Sequence, residues 1–358
     1  MEQWLIMILL SCLLVQLSYW LFIFAKLKPI PRKDSQPRDH DIVVCYKNEE
    51  QNLPKSIKHL SAQGCHAAIL VDDFSSDDSF MIASAATSSN LKNVKATVDR
   101  PGKKRALLDG IICSEMERIV LTDADCRPVT ADWSAIMASY LHDCDAVIGY
   151  APLAKSQSWV SVFARYETYL TAIQYLSYAQ IGIPYMGVGR NMAVRRSTAL
   201  PILTEMQDQK LASGDDDLLV QGLAKNGKVS TCLDPRSFVF SEPAKDIRSY
   251  IRQKARHIST ATSYALVHQV LLAVFAGTHL LFYGLLLVLL FFSSVSLTQL
   301  LVILLVKWIM QMIVNRKLMY LLGEKDLWWK FPLLDIATFV LYVVLTPYLF
   351  LKNRTQWS

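Results

Sequence analysis

The residues best suited to chemistry lie in the segment Ile119 to Pro128, which has the sequence IVLTDADCRP. Its apolar start predicts a buried strand that delivers Asp123 and Asp125 to the edge of a sheet, where ligands of open α/β sheets bind. Carboxylate oxygens are hard ligands for Mg2+ or Mn2+, and such an ion carries the phosphates of a nucleotide. The alternative is a pair of ordinary turn residues. Cys126 is disfavoured as a metal ligand because its sulfur is soft.

Three further polar clusters contribute to this prediction. They are Asn48-Glu49-Glu50, Asp72-Asp73 and Gly214-Asp215-Asp216-Asp217. We expect all of them at the carboxyl ends of successive strands, and independent turns would not be expected to repeat carboxylates at one edge of a sheet. The four clusters therefore predict one crevice that binds a base, a ribose, a metal ion and an acceptor hydroxyl.

The elements that must position these residues alternate between strand and helix. Apolar runs predict strands at Asp41–Tyr46, Ala67–Val71, Val94–Val98 and Ile119–Leu121. Helices are predicted from Asn48 onward and at Asp78–Ala86, Lys103–Cys113, Trp159–Ile181 and Asp215–Asn226, and a further strand within Tyr185–Ser197. This alternation predicts an α/β domain with a parallel sheet covered on both faces.

Apolar segments at both ends predict membrane insertion. Trp4–Phe24 has no charge and precedes basic residues, the reverse of a cleavable signal, so it is interpreted as an anchor with a cytoplasmic C-terminal side. Val267–Phe292, Val295–Val314 and Phe331–Leu351 are each long enough to span a bilayer. If the last segment spans the bilayer, Lys352 and Arg354 lie on the non-cytoplasmic side, whereas basic residues usually gather on the cytoplasmic side. A re-entrant or interfacial last segment is therefore an alternative.

The predicted domains are an anchor at 1–25, a linker at 26–40, a cytosolic domain at 41–245, an interfacial basic helix at 246–262 and a membrane region of about three helices at 263–358. The formal charge is +6, and the basic residues gather beside the apolar ends, which favours a lipid surface over nucleic acid as partner. Seven scattered cysteines indicate reduced thiols. Lys307 and Asp335, both inside predicted spans, are hypothesised to pair.

The motifs together resemble the inverting, GT-A-fold glycosyltransferases of family 2. The membrane-bound branch of this family includes ceramide glucosyltransferases and the cellulose, hyaluronan and poly-N-acetylglucosamine synthases. The matching segments are Val43–Leu60, Val71–Ser79, Gly102–Gly110, Thr122–Cys126, Gly189–Arg196, Gly214–Leu219 and Gln253–His257. The resemblance implies a Rossmann-like, nucleotide-diphospho-sugar transferase fold, with transmembrane helices at both ends of this chain.

The resemblance also implies roles for single residues. Glu49, Asp72 and Asp73 match positions that contact the nucleoside of the donor, with a helix N-cap as the alternative for the last two. Lys103 matches a lysine near the nucleotide. Asp125 matches the main metal ligand, with Asp123 beside it.

Two acids are candidates for the general base. The segment at Gly214–Leu219 resembles a motif whose last aspartate takes the proton of the acceptor hydroxyl. Counting from Gly214 to Leu219 selects Asp216, whereas counting from the Asp-Leu pair selects Asp215, and both stay open. Clustered carboxylates raise the pKa of such a base.

The segment Gln253–His257 resembles the family's QxxRW motif, with His257 in place of the tryptophan. Gln253 and Arg256 lie three residues apart and share a helix face. The resemblance implies that Arg256 neutralises the leaving diphosphate. Loss of the tryptophan argues against a long glucan in the acceptor site. Without the family, the segment is a basic juxtamembrane helix.

These observations predict an integral membrane protein, of the plasma or inner membrane, that transfers a sugar from a nucleotide-sugar donor to a lipid or glycan acceptor at the cytoplasmic face. A UDP-sugar donor, a lipid-linked acceptor and Mg2+ or Mn2+ as cofactor are expected. The alternatives are a processive polysaccharide synthase and a non-catalytic membrane protein that binds nucleotide-sugar.

Overall fold

The computed structural model describes residues 2–31, 39–97, 102–207, 215–244, 246–260 and 263–351. Residues 32–38 of the predicted linker, Val98, Gly214, and Lys352 with Arg354 lie outside these residues. The chain divides into two units. One comprises Met1–Leu27, Lys155–Ser177 and Ala244–Ser358, and the other comprises Lys28–Ala154 and Tyr178–Pro243. The domain limits given above stay a prediction.

The strands, in chain order, are β1 His40–Tyr46, β2 Ala67–Asp72, β3 Leu91–Lys95, β4 Arg118–Asp123, β5 Arg127–Pro128, β6 Ala146–Gly149, β7 Met192–Arg195, β8 Val229–Cys232 and β9 Val239–Phe240. Seven of them form one sheet in the order β3-β2-β1-β4-β7-β6-β8, and β5 pairs with β9.

The α-helices, in chain order, are α1 Glu2–Ser18, α2 Leu53–Ser61, α3 Ser79–Ala85, α4 Lys103–Cys113, α5 Trp133–Ser139, α6 Trp159–Gln180, α7 Arg196–Met206, α8 Asp215–Asn226, α9 Ile247–Thr260, α10 Leu266–Phe292, α11 Leu297–Leu321 and α12 Phe331–Leu351. The limits of α4 and α8 agree with the sequence prediction. The helix expected from Asn48 begins only at Leu53, because Asn48 is in the left-handed region with φ 54°.

The central strands of the sheet are continuous apolar runs, as is usual for strands covered on both faces. Every residue of β2 is buried, and so are Ile42, Val43 and Val44 of β1. The parallel register pairs Tyr46 with Asp72 and Cys45 with Asp123. The ends of β1, β2 and β4 are therefore level, and the acids that follow them share one edge.

The expectation of an all-parallel sheet is wrong at β7, which runs antiparallel to both β4 and β6. Antiparallel neighbours need no crossover to the opposite edge, so the chain leaves β6 and enters β7 at the same edge of the sheet. This edge is also the carboxyl edge of β1, β2 and β4. Gly189 and Arg190, which precede β7, consequently lie beside the acidic clusters.

Four helical segments of the first unit are long and apolar enough to cross a membrane. They are Glu2–Lys26, Leu266–Phe292, Leu297–Leu321 and Lys325–Leu345. The first continues α1 through a π-helical and a 3₁₀ turn. The prediction of apolar spans near both ends of the chain is therefore supported by length and composition.

Two opposite charges inside these apolar helices are paired. The Lys307 ammonium, which is fully buried, bonds the Asp335 carboxylate, as hypothesised from the sequence. The Tyr283 hydroxyl donates to the same carboxylate, and Trp308 Nε1 donates to it at 3.2 Å. The network joins α10, α11 and α12. It stabilises their packing, because a charge left without a partner in an apolar interior is costly.

Candidate active site

The Asp-Ala-Asp segment forms the turn after β4. Asp123 is half-buried and Asp125 is exposed, and their ligand atoms and that of Cys126 all lie within 4.8 Å of one another. The Cys126 thiol is 3.3 Å from Asp125 Oδ1. Burial, followed by the charges of Asp123 and Asp125, raises the pKa of Cys126 well above its usual value. The protonated thiol therefore donates to Asp125, and the carboxylates of Asp123 and Asp125 are the candidate ligands for a metal ion.

Lys103, the first residue of α4, connects this turn to the acids around it. Its ammonium is 2.7 Å from Asp123 Oδ1. Burial alone would lower the pKa of Lys103, but the carboxylates of Asp123 and Asp216 outweigh that effect and raise it. Lys103 is therefore a permanent cation between two acids that are 93 residues apart in the chain.

The end of β1 shows that the acids converge. Burial raises the pKa of the Cys45 thiol most strongly. Charges of Asp123, Asp73 and Asp216 raise it further, and Lys103 opposes them. Three carboxylates from separate parts of the chain therefore lie near enough to the end of β1 to act on the same thiol.

Asp72 ends β2 and Asp73 follows it, and both side chains are buried. Asp73 Oδ1 accepts a hydrogen bond of 2.7 Å from the Gly102 amide, just before α4. Burial raises the pKa of Asp73 despite this bond. Asp72 Oδ1 accepts from the Ser75 amide at 3.2 Å. The alternative of a helix N-cap does not hold, since α3 begins at Ser79 after Asp78.

Glu49 lies in the loop after β1. Its amide donates to Ser79 Oγ at 2.7 Å, and its carboxylate accepts from Asn52 Nδ2 at 2.6 Å. Burial raises the pKa of Glu49, and the charges of Asp125 and Asp123 add to the increase. Glu49 is therefore an electrostatic neighbour of the Asp-Ala-Asp turn.

The acidic cluster Asp215 to Asp217 was expected at the carboxyl end of a strand, and that prediction is wrong. It forms the first turn of α8, where the helix dipole favours negative charge. Asp216 accepts a hydrogen bond of 2.8 Å from the Gly189 amide. A Cβ at Gly189 would lie 2.3 Å from Asp216 Oδ1, so the glycine is what allows this close approach.

Asp215 differs from Asp216 in its environment. Asp215 is 7% exposed, its Oδ1 has no hydrogen-bond partner among the described residues, and Lys104 Nζ is 3.8 Å away. Burial, and then the charge of Asp216, raise the pKa of Asp215 to about 6. Asp216 is only partly buried, so it is the more accessible of the two carboxylates.

Arg190 was not singled out from the sequence. Its guanidinium bonds Ser241 Oγ, and its charge acts on Cys126, which follows Asp125. Its carbonyl accepts from Thr122 Oγ1 at 2.9 Å. The segment Gly189–Arg196 had been noted as a motif, but only the antiparallel direction of β7 brings this cation to the site.

Gln253 and Arg256 lie on α9, which is helical as the basic-helix prediction requires. The Gln253 side chain is exposed, and the Arg256 side chain lies outside the described part of the structure. Neighbouring Lys254 forms a salt bridge with Glu167. The diphosphate roles of Gln253 and Arg256 therefore stay predictions.

A mixed α/β sheet whose carboxyl edge gathers acids near a lysine has its polar groups where open α/β sheets bind their ligands. The family model for Glycosyl transferase family 2 matches residues 41–200. The match over these residues confirms the resemblance to family 2, and the mixed α/β sheet confirms the fold class.

Two solved structures illustrate the likeness. A mannosyltransferase from Pyrobaculum calidifontis in complex with GDP-Man and Mn2+ is 15% identical, with a TM-score of 0.60 over 95% of this chain and 96% of that chain. Glucosyl-3-phosphoglycerate synthase from Mycobacterium tuberculosis, in complex with Mn2+, UDP and glucosyl-3-phosphoglycerate, is 14% identical, with a TM-score of 0.41 over 67% of this chain and 80% of that chain. A search of curated proteins gave no significant match.

Proposed function

We propose that this protein is a metal-dependent, inverting glycosyltransferase that moves a sugar from a nucleotide-sugar to a lipid or lipid-linked acceptor at the cytoplasmic face of a membrane. The observation that carries the proposal is that the charges of Asp73, Asp123 and Asp216 all act on Cys45, and that Lys103, 2.7 Å from Asp123, is also under the charge of Asp216. Acids from separate elements, gathered around a permanent cation in a family 2 domain, match the demands of an anionic donor and an acceptor hydroxyl.

The metal-ligating pair fits a divalent cation. Asp123 and Asp125 offer hard oxygens, Asp125 is exposed toward a ligand, and the protonated Cys126 does not compete. Mg2+ or Mn2+ held there would supply positive charge to the diphosphate of the donor. The mannosyltransferase of the same fold was solved with GDP-Man and Mn2+, which supports this assignment.

We assign Glu49, Asp72 and Asp73 to binding the nucleoside of the nucleotide-sugar. Their carboxylates can accept hydrogen bonds from N–H groups of the base and hydroxyls of the ribose. Lys103 is assigned to the phosphates, because its positive charge is maintained by Asp123 and Asp216. Gln253 and Arg256 are assigned to the leaving diphosphate. A UDP-sugar is the donor that the family resemblance favours, and GDP-Man bound to the mannosyltransferase makes a GDP-sugar the second choice.

Asp216 is the proposed general base. Its carboxylate takes the proton of the acceptor hydroxyl while that oxygen attacks the anomeric carbon from the face opposite the diphosphate. The bond to the diphosphate breaks as the new glycosidic bond forms, so the configuration inverts. The Gly189 amide holds the carboxylate in place, and buried Asp215 is the second candidate because its pKa is near 6.

A lipid acceptor is proposed because four apolar helices accompany the family 2 domain. A processive polysaccharide synthase would instead make long polymer from donor alone. A non-catalytic nucleotide-sugar-binding protein would make no product, which the complete set of acids argues against.

The test incubates purified full-length protein with Mn2+, a panel of labelled nucleotide-sugars and a total membrane lipid extract, and identifies the product by mass. We expect one sugar on a lipid, and Asp216→Asn should lower turnover about 100- to 10,000-fold. The matched control Glu205→Gln removes an exposed charge on α7 and should keep wild-type turnover. Equal rates for wild type and Asp216→Asn would reject the assigned base, and absence of any product would favour the binding protein.

A further inference from the structure

A groove at the end of α11 carries cations and aromatic rings that the proposed reaction does not use. It has a volume of about 840 Å3. Its lining comes from the last turns of α11 and from the 3₁₀ turn Lys325–Lys330, and includes Arg316, Lys317, Tyr320, Lys325, Trp328 and Trp329. We call this the basic–aromatic groove.

The positive charge of the groove is not neutralised by the acids that lie near it in the chain. Arg316, Lys317 and Lys325 are all exposed, and none of the described residues that line the groove is an acid. Glu324 and Asp326 instead contact the buried Arg165 guanidinium, with Asp326 Oδ1 2.9 Å away. Three cations therefore face the groove with no acid among its lining residues, a charge excess suited to an anion.

The aromatic rings of the groove are held in place. Trp328 Nε1 donates to the Met312 carbonyl at 2.9 Å, and the Arg316 guanidinium lies 5.8 Å from the Trp328 ring. Trp329 packs edge-on against Trp328, with ring centroids 4.2 Å apart, yet remains 78% exposed. Tyr320 is exposed to the same extent. Exposed Trp and Tyr at helix ends are typical of the boundary between bilayer and water.

The position of the groove supports a lipid as the occupant. It lies at the junction of two candidate spans, Leu297–Leu321 and Lys325–Leu345. Lys317 Nζ also donates to the Ala25 carbonyl at 2.7 Å, near the end of a third span. The opposite junction, Ser293 to Ser296, has the uncharged sequence SSVS. Basic pockets between spans, at the more positive end, attract anionic lipid head groups.

We propose that the basic–aromatic groove binds the phosphate head group of an anionic phospholipid. Arg316, Lys317 and Lys325 contact the phosphate, while Tyr320 and Trp329 pack against the glycerol and the upper acyl chains. This site is separate from sugar transfer, so its test does not depend on the proposed function.

The experiment titrates the purified full-length protein, in a neutral detergent, with phosphatidylglycerol or phosphatidylcholine and counts retained lipids by native mass spectrometry. The wild type should retain phosphatidylglycerol in preference to phosphatidylcholine. The variant Arg316→Gln/Lys317→Gln/Lys325→Gln should bind it on the order of one hundredfold more weakly, since each cation near an anionic head group contributes roughly fivefold. Lys325→Gln alone, on the exposed turn, should lower the affinity for phosphatidylglycerol about fivefold.

The matched control Lys55→Gln/Lys58→Gln/Lys225→Gln removes the same charge from exposed positions elsewhere and should bind phosphatidylglycerol as the wild type does. Equal affinity of the groove variant and the wild type would overturn the proposal, as would equal retention of both lipids by the wild type. Displacement of phosphatidylglycerol by an equal concentration of glycerol 3-phosphate would also overturn it, because the groove would then be a site for free phosphate.

Discussion

Among single residues, Asp216 can act as the general base only if its carboxylate is held in a fixed position. Gly189 donates its amide to one oxygen, and a Cβ at this position would come within 2.3 Å of the other. Real Cβ contacts are never this short, so Gly189→Ala must displace the carboxylate, and a shift of about 1 Å at a reacting group costs about a hundredfold in rate.

We therefore expect Gly189→Ala to lower kcat on the order of one hundredfold with little change in the KM for the donor. Steady-state kinetics would measure both constants. Gly64→Ala is the control, since nothing lies within 4 Å of a Cβ built there. A wild-type kcat for Gly189→Ala would show that the position of Asp216 does not matter.

Asp215 gives a prediction on pH. Its pKa is raised in the folded state from 3.8 to about 6, so its protonated form is favoured. The stability that this group contributes is full below pH 4 and is lost as pH rises through about 6. The maximal loss is about 3 kcal/mol, from about 1.4 kcal/mol per pKa unit.

Asp215→Asn should remove this dependence. Thermal unfolding of both proteins at several pH values would show the Tm of the variant, relative to wild type, rising between pH 4 and pH 8. A Tm difference that stays constant with pH would contradict the assigned burial of Asp215.

At the scale of elements, the sequence predicted those features that depend on local pattern. Continuous apolar runs located β1, β2 and β4, and the acids that follow them lie at one edge because parallel strands end level. The pairing of Lys307 with Asp335 was foreseeable because a buried charge needs a partner.

Features set by distant parts of the chain were not predictable in this way. The direction of β7 depends on where the connection from β6 returns, which no local pattern records. The position of Arg190 follows from the direction of β7. The position of Asp215–Asp217 follows from the start of α8 at Asp215. The start of α2 was misplaced because Asn48 was taken as helical, whereas asparagine readily adopts the left-handed backbone that it has here.

The polar network among α10, α11 and α12 gives a prediction at this scale. Asp335→Ala would leave the fully buried Lys307 without its carboxylate, and removing one partner of a buried pair costs roughly 3–5 kcal/mol. Thermal unfolding in detergent should show a large loss of Tm.

The double variant Lys307→Met/Asp335→Leu removes both charges and should recover most of that loss, because apolar groups of similar volume replace the pair. If the double variant is as unstable as Asp335→Ala, the network acts through something other than its buried charge.

At the scale of the whole molecule, a family 2 domain and four apolar helices occur in one chain. The domain supplies acids suited to a metal and a nucleotide, and the apolar helices suit the protein to a membrane, where lipid acceptors reside. In the proposed reaction, Asp123 and Asp125 hold the ion that carries the donor's diphosphate.

The most direct measurement is pulsed electron paramagnetic resonance of Mn2+ bound to the full-length protein with the nucleotide-sugar. The account predicts a phosphorus hyperfine coupling from the diphosphate that disappears in Asp125→Asn and persists in the control Glu205→Gln. A coupling that is unchanged in both Asp123→Asn and Asp125→Asn, or bound Mn2+ with no phosphorus coupling in the wild type, would contradict it.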